Sequence, residues 1–211
     1  MEIQVGTPPV SVNVFIPAGA KKIAVLVSGG SDSAVLLYML AKQAHNRNIQ
    51  IITFTVPRSD GAINYSSGIV ECVNRLAGTT IPMPIAIGDP DNNHHSEQTR
   101  SGHRQILIDY PDVDYIYYGS QRVSQELENI EGMVYPWRPD KMFYPGKTIC
   151  PFFDLTKEHT LELYFKLDIV ELLKYSHTCC VWPVGRCTVC YNCIEREWAF
   201  KKLGQIDPGS L

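Results

Sequence analysis

Two groups of residues in this chain could do chemistry. The first is Ser28 to Ser33, SGGSDS, which sets two glycines among three hydroxyls and a carboxylate. Gly29 and Gly30 lack a Cβ, so the backbone can turn with positive φ and come close to a ligand. A turn of this kind between a strand and a helix leaves N–H groups pointing at one spot, and the helix dipole adds positive potential there. That is a site for a phosphate or pyrophosphate. The loop lacks the Lys of GxxxxGK[ST] and the glycine spacing of GxGxxG, so it is neither of the two common nucleotide loops. The bland alternative is an ordinary Gly/Ser-rich turn.

The second group is the cysteines. Seven are present, and five of them fall between Cys179 and Cys193. Cys187, Cys190 and Cys193 are separated by two residues each, and Cys179 lies eight positions before Cys187. Cys-x-x-Cys lets two thiolates of one knuckle reach a single tetrahedral Zn²⁺. Cys179, Cys187, Cys190 and Cys193 would close a four-coordinate, structural site, with Cys180 an alternative fourth ligand. Free buried cysteines or an iron–sulfur cluster are the other readings of the pattern. Cys72 and Cys150 read as core residues.

These residues need a scaffold. Ile23 to Val27 is a short aliphatic run, a strand covered on both faces. Ala34 to Ala41 continues as a helix to about His45, with Asp32 and Ser33 as its N-cap residues. Ile49–Val56 reads as a second buried strand, Asn64–Leu76 as a helix and Ile81–Ile87 as a third strand. Pro82 and Pro84 put that third strand near an edge. Ser101–Tyr110 looks helical after a polar loop from Asp89 to Thr99, and Tyr115–Gly119 reads as a fourth strand. Residues 2–16 read as an edge strand or hairpin. Ser120–Gly146 is long for a connection and suits a functional loop or lid. A helix follows from about Thr156 to Leu167, then a turn or two from Asp168 to Lys174. Ile194, Trp198 and Leu203 mark a terminal helix that anchors the knuckle. Alternating strands and helices mean right-handed crossovers and a parallel sheet with helices on both faces. Ligands of such sheets sit at the carboxyl ends of the strands, where SGGSDS lies. The expected organisation is an α/β domain over 1–175 and a cysteine-rich subdomain over 176–211.

Composition agrees. The 211 residues are 45% hydrophobic and 19% charged, enough for one sizeable α/β domain. A net charge of −3 offers no basic excess for nonspecific nucleic-acid binding. No apolar run approaches the length of a membrane span. The N-terminus lacks a basic region followed by a long apolar segment, so no signal peptide is expected. Clustered cysteines without a signal favour metal over disulfides, a reducing compartment and a cytoplasmic location.

SGGSDS resembles the PP-loop of the ATP pyrophosphatases, which grips the β,γ-pyrophosphate of ATP while AMP is transferred to a substrate oxygen. The tail narrows the resemblance to the 7-cyano-7-deazaguanine synthases. Those end in a Cys, then Cys-x-x-Cys-x-x-Cys eight residues on, then a helix with Glu-Arg and Ala-Phe, and finally Asp-Pro. Here these are Cys179, Cys187, Cys190, Cys193, Glu195, Arg196, Ala199, Phe200, Asp207 and Pro208. Pro151 to Lys157, PFFDLTK, is similar to the family's Pro…Lys element, whose Lys meets ATP phosphate. A Lys is a poor match to a helix start, which favours function there.

The resemblance implies Ser28, Gly29, Gly30, Ser31, Asp32 and Ser33 on the pyrophosphate. It places Lys157 on the phosphates, Asp32 with Mg²⁺ and the four cysteines on zinc. It implies activation of 7-carboxy-7-deazaguanine as an acyl-adenylate, displacement of AMP by ammonia, a second activation that yields the nitrile, and a homodimer. Two segments depart from the family. TVPRSD (Thr55–Asp60) stands where Asp-Tyr-Gly-Gln-Arg is usual, and Ser120 to Glu126, SQRVSQE, replaces the deazaguanine-contacting segment. Gln121, Arg122, Gln125 and Glu126 lie where the substrate pocket would be. The alternative is a related PP-loop enzyme that adenylates another carboxylate, a modified base, or a protein or nucleic-acid substrate.

Overall fold

The computed structural model describes residues 1–58, 61, 63–89, 95–128, 130 and 144–209. Five parallel strands form the central sheet: β3 (Lys22–Leu26), β4 (Gln50–Thr55), β5 (Ile85–Ala86), β6 (Tyr115–Tyr118) and β7 (Thr148–Ile149). Their order is β5-β4-β3-β6-β7, so the strand that feeds SGGSDS is the middle one. Ile23 faces Ile51 on one side and Tyr115 on the other, and Leu26 faces Phe54 and Tyr118. β1 (Glu2–Val5) and β2 (Val10–Asn13) make a separate antiparallel hairpin.

Strand alternation splits the core in two. Ile23, Val25 and Val27 face a large cluster shared with α1 (Ser31–Arg47), α2 (Ile63–Ala77), α4 (Lys157–Lys166) and α5 (Tyr191–Lys202). Ala24 and Leu26 face a smaller cluster with Phe54, Tyr118 and Ile106 of α3 (His95–Asp109). Helices therefore flank both faces of the parallel sheet, as the alternating pattern requires. α5 is no loose appendage: its Ala199 and Phe200 belong to the larger cluster.

Several boundaries move for physical reasons. α1 begins at Ser31 with Gly30 as its N-cap, so Asp32 and Ser33 lie inside the first turn instead of capping it. It runs to Arg47 and ends on Asn48 in the left-handed conformation. The third strand shrinks to Ile85–Ala86 at the sheet edge. Pro82 and Pro84 cannot donate to a ladder, which explains the shrinkage. α3 starts at His95, well before Ser101. Thr148–Ile149, which carries no strand pattern of its own length, pairs with β6 as a fifth strand. Two short 3₁₀ turns, Gln125–Leu127 and Val170–Tyr175, complete the path. Residues 129 and 131–143 of the long segment expected as a lid lie outside the described residues, as do 90–94 of the polar loop and Ser59–Asp60 of TVPRSD.

Candidate active site

The turn after β3 is built from its own side chains. Gly29 has φ +80°, which a side chain would strain. Ser33 Oγ donates to the Gly30 carbonyl (3.0 Å) and accepts from the Ser28 amide (3.1 Å), while Ser28 Oγ lies 3.2 Å from it. Ser28 and Ser33 thus shape the loop from within. Ser31 is different: its Oγ is buried and has no hydrogen-bond partner among the described residues. A buried orphan hydroxyl at a helix start suits an incoming anionic oxygen.

Gly119, just after β6, lets the sheet reach this point. A Cβ there would sit 2.9 Å from the Asp32 carbonyl carbon and the Ser33 amide nitrogen. Both are backbone atoms and cannot swing aside, so the end of β6 and the start of α1 touch only because residue 119 has no side chain.

A second helix start converges on the first. Lys157, the first residue of α4, is buried, and its Nζ donates to Asp32 Oδ2 at 2.5 Å. Thr160 Oγ1 donates to Asp32 Oδ1 at 2.8 Å. The Gln121 amide nitrogen donates to Thr160 Oγ1 (2.9 Å) and Asp32 Oδ1 (2.8 Å), and its oxygen accepts from Lys157 N (3.2 Å) and Nζ (3.3 Å). Tyr164, also on α4, donates its hydroxyl to the Ser31 carbonyl. Burial and the nearby Asp32 charge push that phenol well above its usual range, so it remains a donor. A buried ammonium against a helix start is disfavoured by desolvation and by the dipole alike. Asp32 and, 3.9 Å away, Glu195 supply the compensating charge.

The remaining expected residues divide. Gln121 joins the Asp32–Lys157 pair. Arg122 is exposed, its amide bonded to the Leu155 carbonyl, and Gln125 is exposed. Glu126 is held by α5, accepting from Trp198 Nε1 (2.9 Å) and Lys202 Nζ (2.6 Å). Lys202 also sits over the Trp198 ring at 4.7 Å. Those bonds draw the Glu126 carboxyl below its usual range, and they tie this segment to the terminal helix. Thr160 belongs to no motif, and Glu195 is marked in the sequence only as part of the cysteine-rich tail, not of this site. Their spacing from Asp32 in sequence is too great for any local pattern to signal.

The cysteines gather as their spacing requires. The sulfurs of Cys179, Cys187, Cys190 and Cys193 all lie within 4.8 Å of one another. That fits four thiolates about one ion, since Zn–S bonds of ~2.3 Å set sulfurs a little under 4 Å apart. Amides already point at the sulfurs: Trp182 N (3.2 Å) and Val181 N (3.4 Å) at Cys179, Cys190 N (3.2 Å) at Cys187. The gathered group contains the buried Cys179 and not the exposed Cys180. Cys72 and Cys150 are buried in the two core clusters.

The knuckle is wired to the turn. His177 N donates to the Gly29 carbonyl at 2.8 Å, and the His177 ring stacks on Tyr65 of α2 at 4.5 Å. Arg196, with no exposed surface, makes a two-pronged bond to Asp207 (2.7 and 2.9 Å). It also donates to Ser176 Oγ (2.8 Å) and Thr178 Oγ1 (2.9 Å), the residues flanking His177. Burial opposes ionisation of Asp207, but Arg196 and Arg186 outweigh it and hold the carboxyl below its usual range. The Glu-Arg and Asp-Pro elements of the tail are therefore one buried ion pair.

The chain is 27% identical over 227 residues to the 7-cyano-7-deazaguanine synthase of Methanococcus maripaludis strain C7, covering 87% of this chain and 95% of the relative. It is 27% identical over 233 residues to that of strain S2, covering 89% and 97%. At this identity the chain is similar to the 7-cyano-7-deazaguanine synthases along most of its length. No family model matches it. The match extends along nearly the whole length of these synthases. No helix among the described residues is long and apolar enough to cross a membrane.

Proposed function

We propose that the chain is an ATP-dependent C–N ligase that converts 7-carboxy-7-deazaguanine and ammonia to 7-cyano-7-deazaguanine. The observation that carries this reading is the joining of Lys157 to Asp32 across 125 positions, which brings two helix N-termini and an orphan Ser31 hydroxyl to one place. Such convergence of N–H groups, dipoles and an ammonium suits a departing pyrophosphate.

In this reading a carboxylate oxygen of the substrate attacks the α-phosphorus of ATP, and the bond to the β,γ-pyrophosphate breaks. Ser31, the helix-start amides and Lys157 take up the charge of that leaving group, and Ser28, Ser33 and Gly29 hold the turn in shape. Ammonia adds to the acyl carbon, AMP leaves, and a proton is lost, giving the amide. The amide oxygen then attacks the α-phosphorus of a second ATP, and pyrophosphate leaves again. Loss of AMP and the two amide protons gives the nitrile. Asp32 is the carboxylate available to Mg²⁺, whose charge would offset the triphosphate. Zinc would fill the Cys179, Cys187, Cys190 and Cys193 site, with no open position for substrate, and so serve the fold. Gln121 holds the Lys157–Asp32 pair, while Arg122, Gln125 and Glu126 remain the nearest candidates for the base. The reading carries with it a 1–175 domain with a 176–211 zinc unit docked on it, a homodimer and a cytoplasmic location.

A second reading rests on SQRVSQE and TVPRSD, which do not match the family's substrate segments. It keeps the adenylation and changes the acceptor. Incubation with ATP, Mg²⁺, ammonia and 7-carboxy-7-deazaguanine, read by mass spectrometry, separates the two. Nitrile with two AMP per turnover is the expected result. AMP released only with other carboxylate acceptors would give the second reading the field.

A further inference from the structure

We propose that Glu195 is a positioning residue for Lys157, so that the terminal helix completes the phosphate site. The inference rests on the phosphate role of Lys157 argued above and extends it to a residue two positions from a cysteine ligand. Glu195 is 1% exposed. Its Oε1 accepts from Tyr191 Oη at 2.9 Å, one helical turn back, which fixes the side chain. Its Oε2 lies 3.9 Å from Lys157 Nζ, beyond hydrogen-bond reach but close enough for a direct charge interaction in a buried setting.

The Lys157 ammonium thus has Asp32 at 2.5 Å, the Gln121 oxygen at 3.3 Å and Glu195 at 3.9 Å. Each comes from a different element: the start of α1, the segment after β6 and α5. Asp32 alone would let the flexible lysine stem follow that carboxylate wherever it moves. A second carboxylate on α5 would keep the ammonium in place were Asp32 to exchange one of its present partners for Mg²⁺. The same helix fixes the turn by a separate route, through Arg196, Ser176, Thr178 and the bond from His177 N to Gly29.

The merely structural alternative is that Glu195 seats α5 and acts on ATP only through folding. A double-mutant cycle tells the two apart. Binding of Mg²⁺–ATP to the full-length, metal-loaded chain is measured by calorimetry for wild type, Glu195→Gln, Lys157→Met and the double variant. Zinc content and thermal midpoint are recorded for each. Glu195→Gln keeps an oxygen for Tyr191 and removes the charge. The expected result is about tenfold weaker binding for Glu195→Gln, with no further loss when it is added to Lys157→Met. Tyr191→Phe, which frees the carboxylate without deleting it, is expected to show a smaller loss that also vanishes in the Lys157→Met background. Additive losses, or wild-type binding by Glu195→Gln at unchanged zinc content, would overturn the inference. Wild-type binding by Lys157→Met would instead remove the underlying phosphate reading, a failure visible at the lysine itself.

Discussion

His103 stands on α3 with no exposed surface, its Nδ1 2.8 Å from the Thr99 carbonyl and its ring edge-on to Tyr118 at 5.1 Å. Burial pulls its pKa from 6.5 to about 4, so the imidazole is neutral when folded at neutral pH. Between those values the unfolded chain binds a proton that the folded chain refuses. His103 therefore adds a contribution that is full above pH 6.5 and is lost as pH falls toward 4. Urea midpoints at pH 7 and pH 4.5 should diverge less in His103→Gln than in wild type, by roughly 2–3 kcal/mol of unfolding free energy. Nothing in the sequence marks His103, because burial is a property of packing. Asp32 stands out in the sequence as part of a Gly/Ser-rich turn and Lys157 as part of an element similar to a family motif, but nothing local signals that the two meet. The roles of Thr160, Glu195 and Gln121 in this network were not legible either, because each meets its partners only through the fold.

Elements obeyed local rules where these acted alone and yielded where neighbours intervened. The β3 strand, the SGGSDS turn and the long α1 follow from apolar runs and glycine. α1 is capped by Gly30 and not by Asp32, because the Asp32 side chain is engaged by Lys157 and Thr160 and Ser33 folds back on Gly30. β7 is two residues long and exists only as a partner to β6, so no periodicity could announce it. The contact between the β6 end and the α1 start makes a sharp prediction. Gly119→Ala would drive a methyl into the Asp32–Ser33 backbone and shift the helix start. The expected cost is about 1–3 kcal/mol in denaturant melts, together with a loss of ATP binding larger than the stability change would suggest. Alanine at Gly146, where φ is +84° but a Cβ would meet nothing within 4 Å, is the control that carries backbone strain without a clash at the turn.

At the scale of the whole molecule, the α/β class, the parallel sheet, the helices on both faces and the gathering of four cysteines could all be read from pattern and spacing. The docking of the tail onto the turn could not, since His177 and Gly29 are 148 positions apart. That docking predicts how the molecule responds to loss of metal. Chelation, or Cys190→Ser, should free the segment between Cys179 and Cys193 to proteolysis and lower the thermal midpoint by about 5–10 °C. Far-UV circular dichroism should keep most of its signal, because the sheet packs without the knuckle. Elemental analysis should find one zinc per intact chain and none after Cys190→Ser.

The hydrogen bond from His177 to Gly29 bears on attempts to borrow this loop. A designer who grafted only the strand, turn and helix onto a foreign scaffold would carry over the amides but leave the clamp behind. The smallest portable unit joins two distant stretches of chain, and a host protein would have to furnish the second stretch before the first could hold its shape.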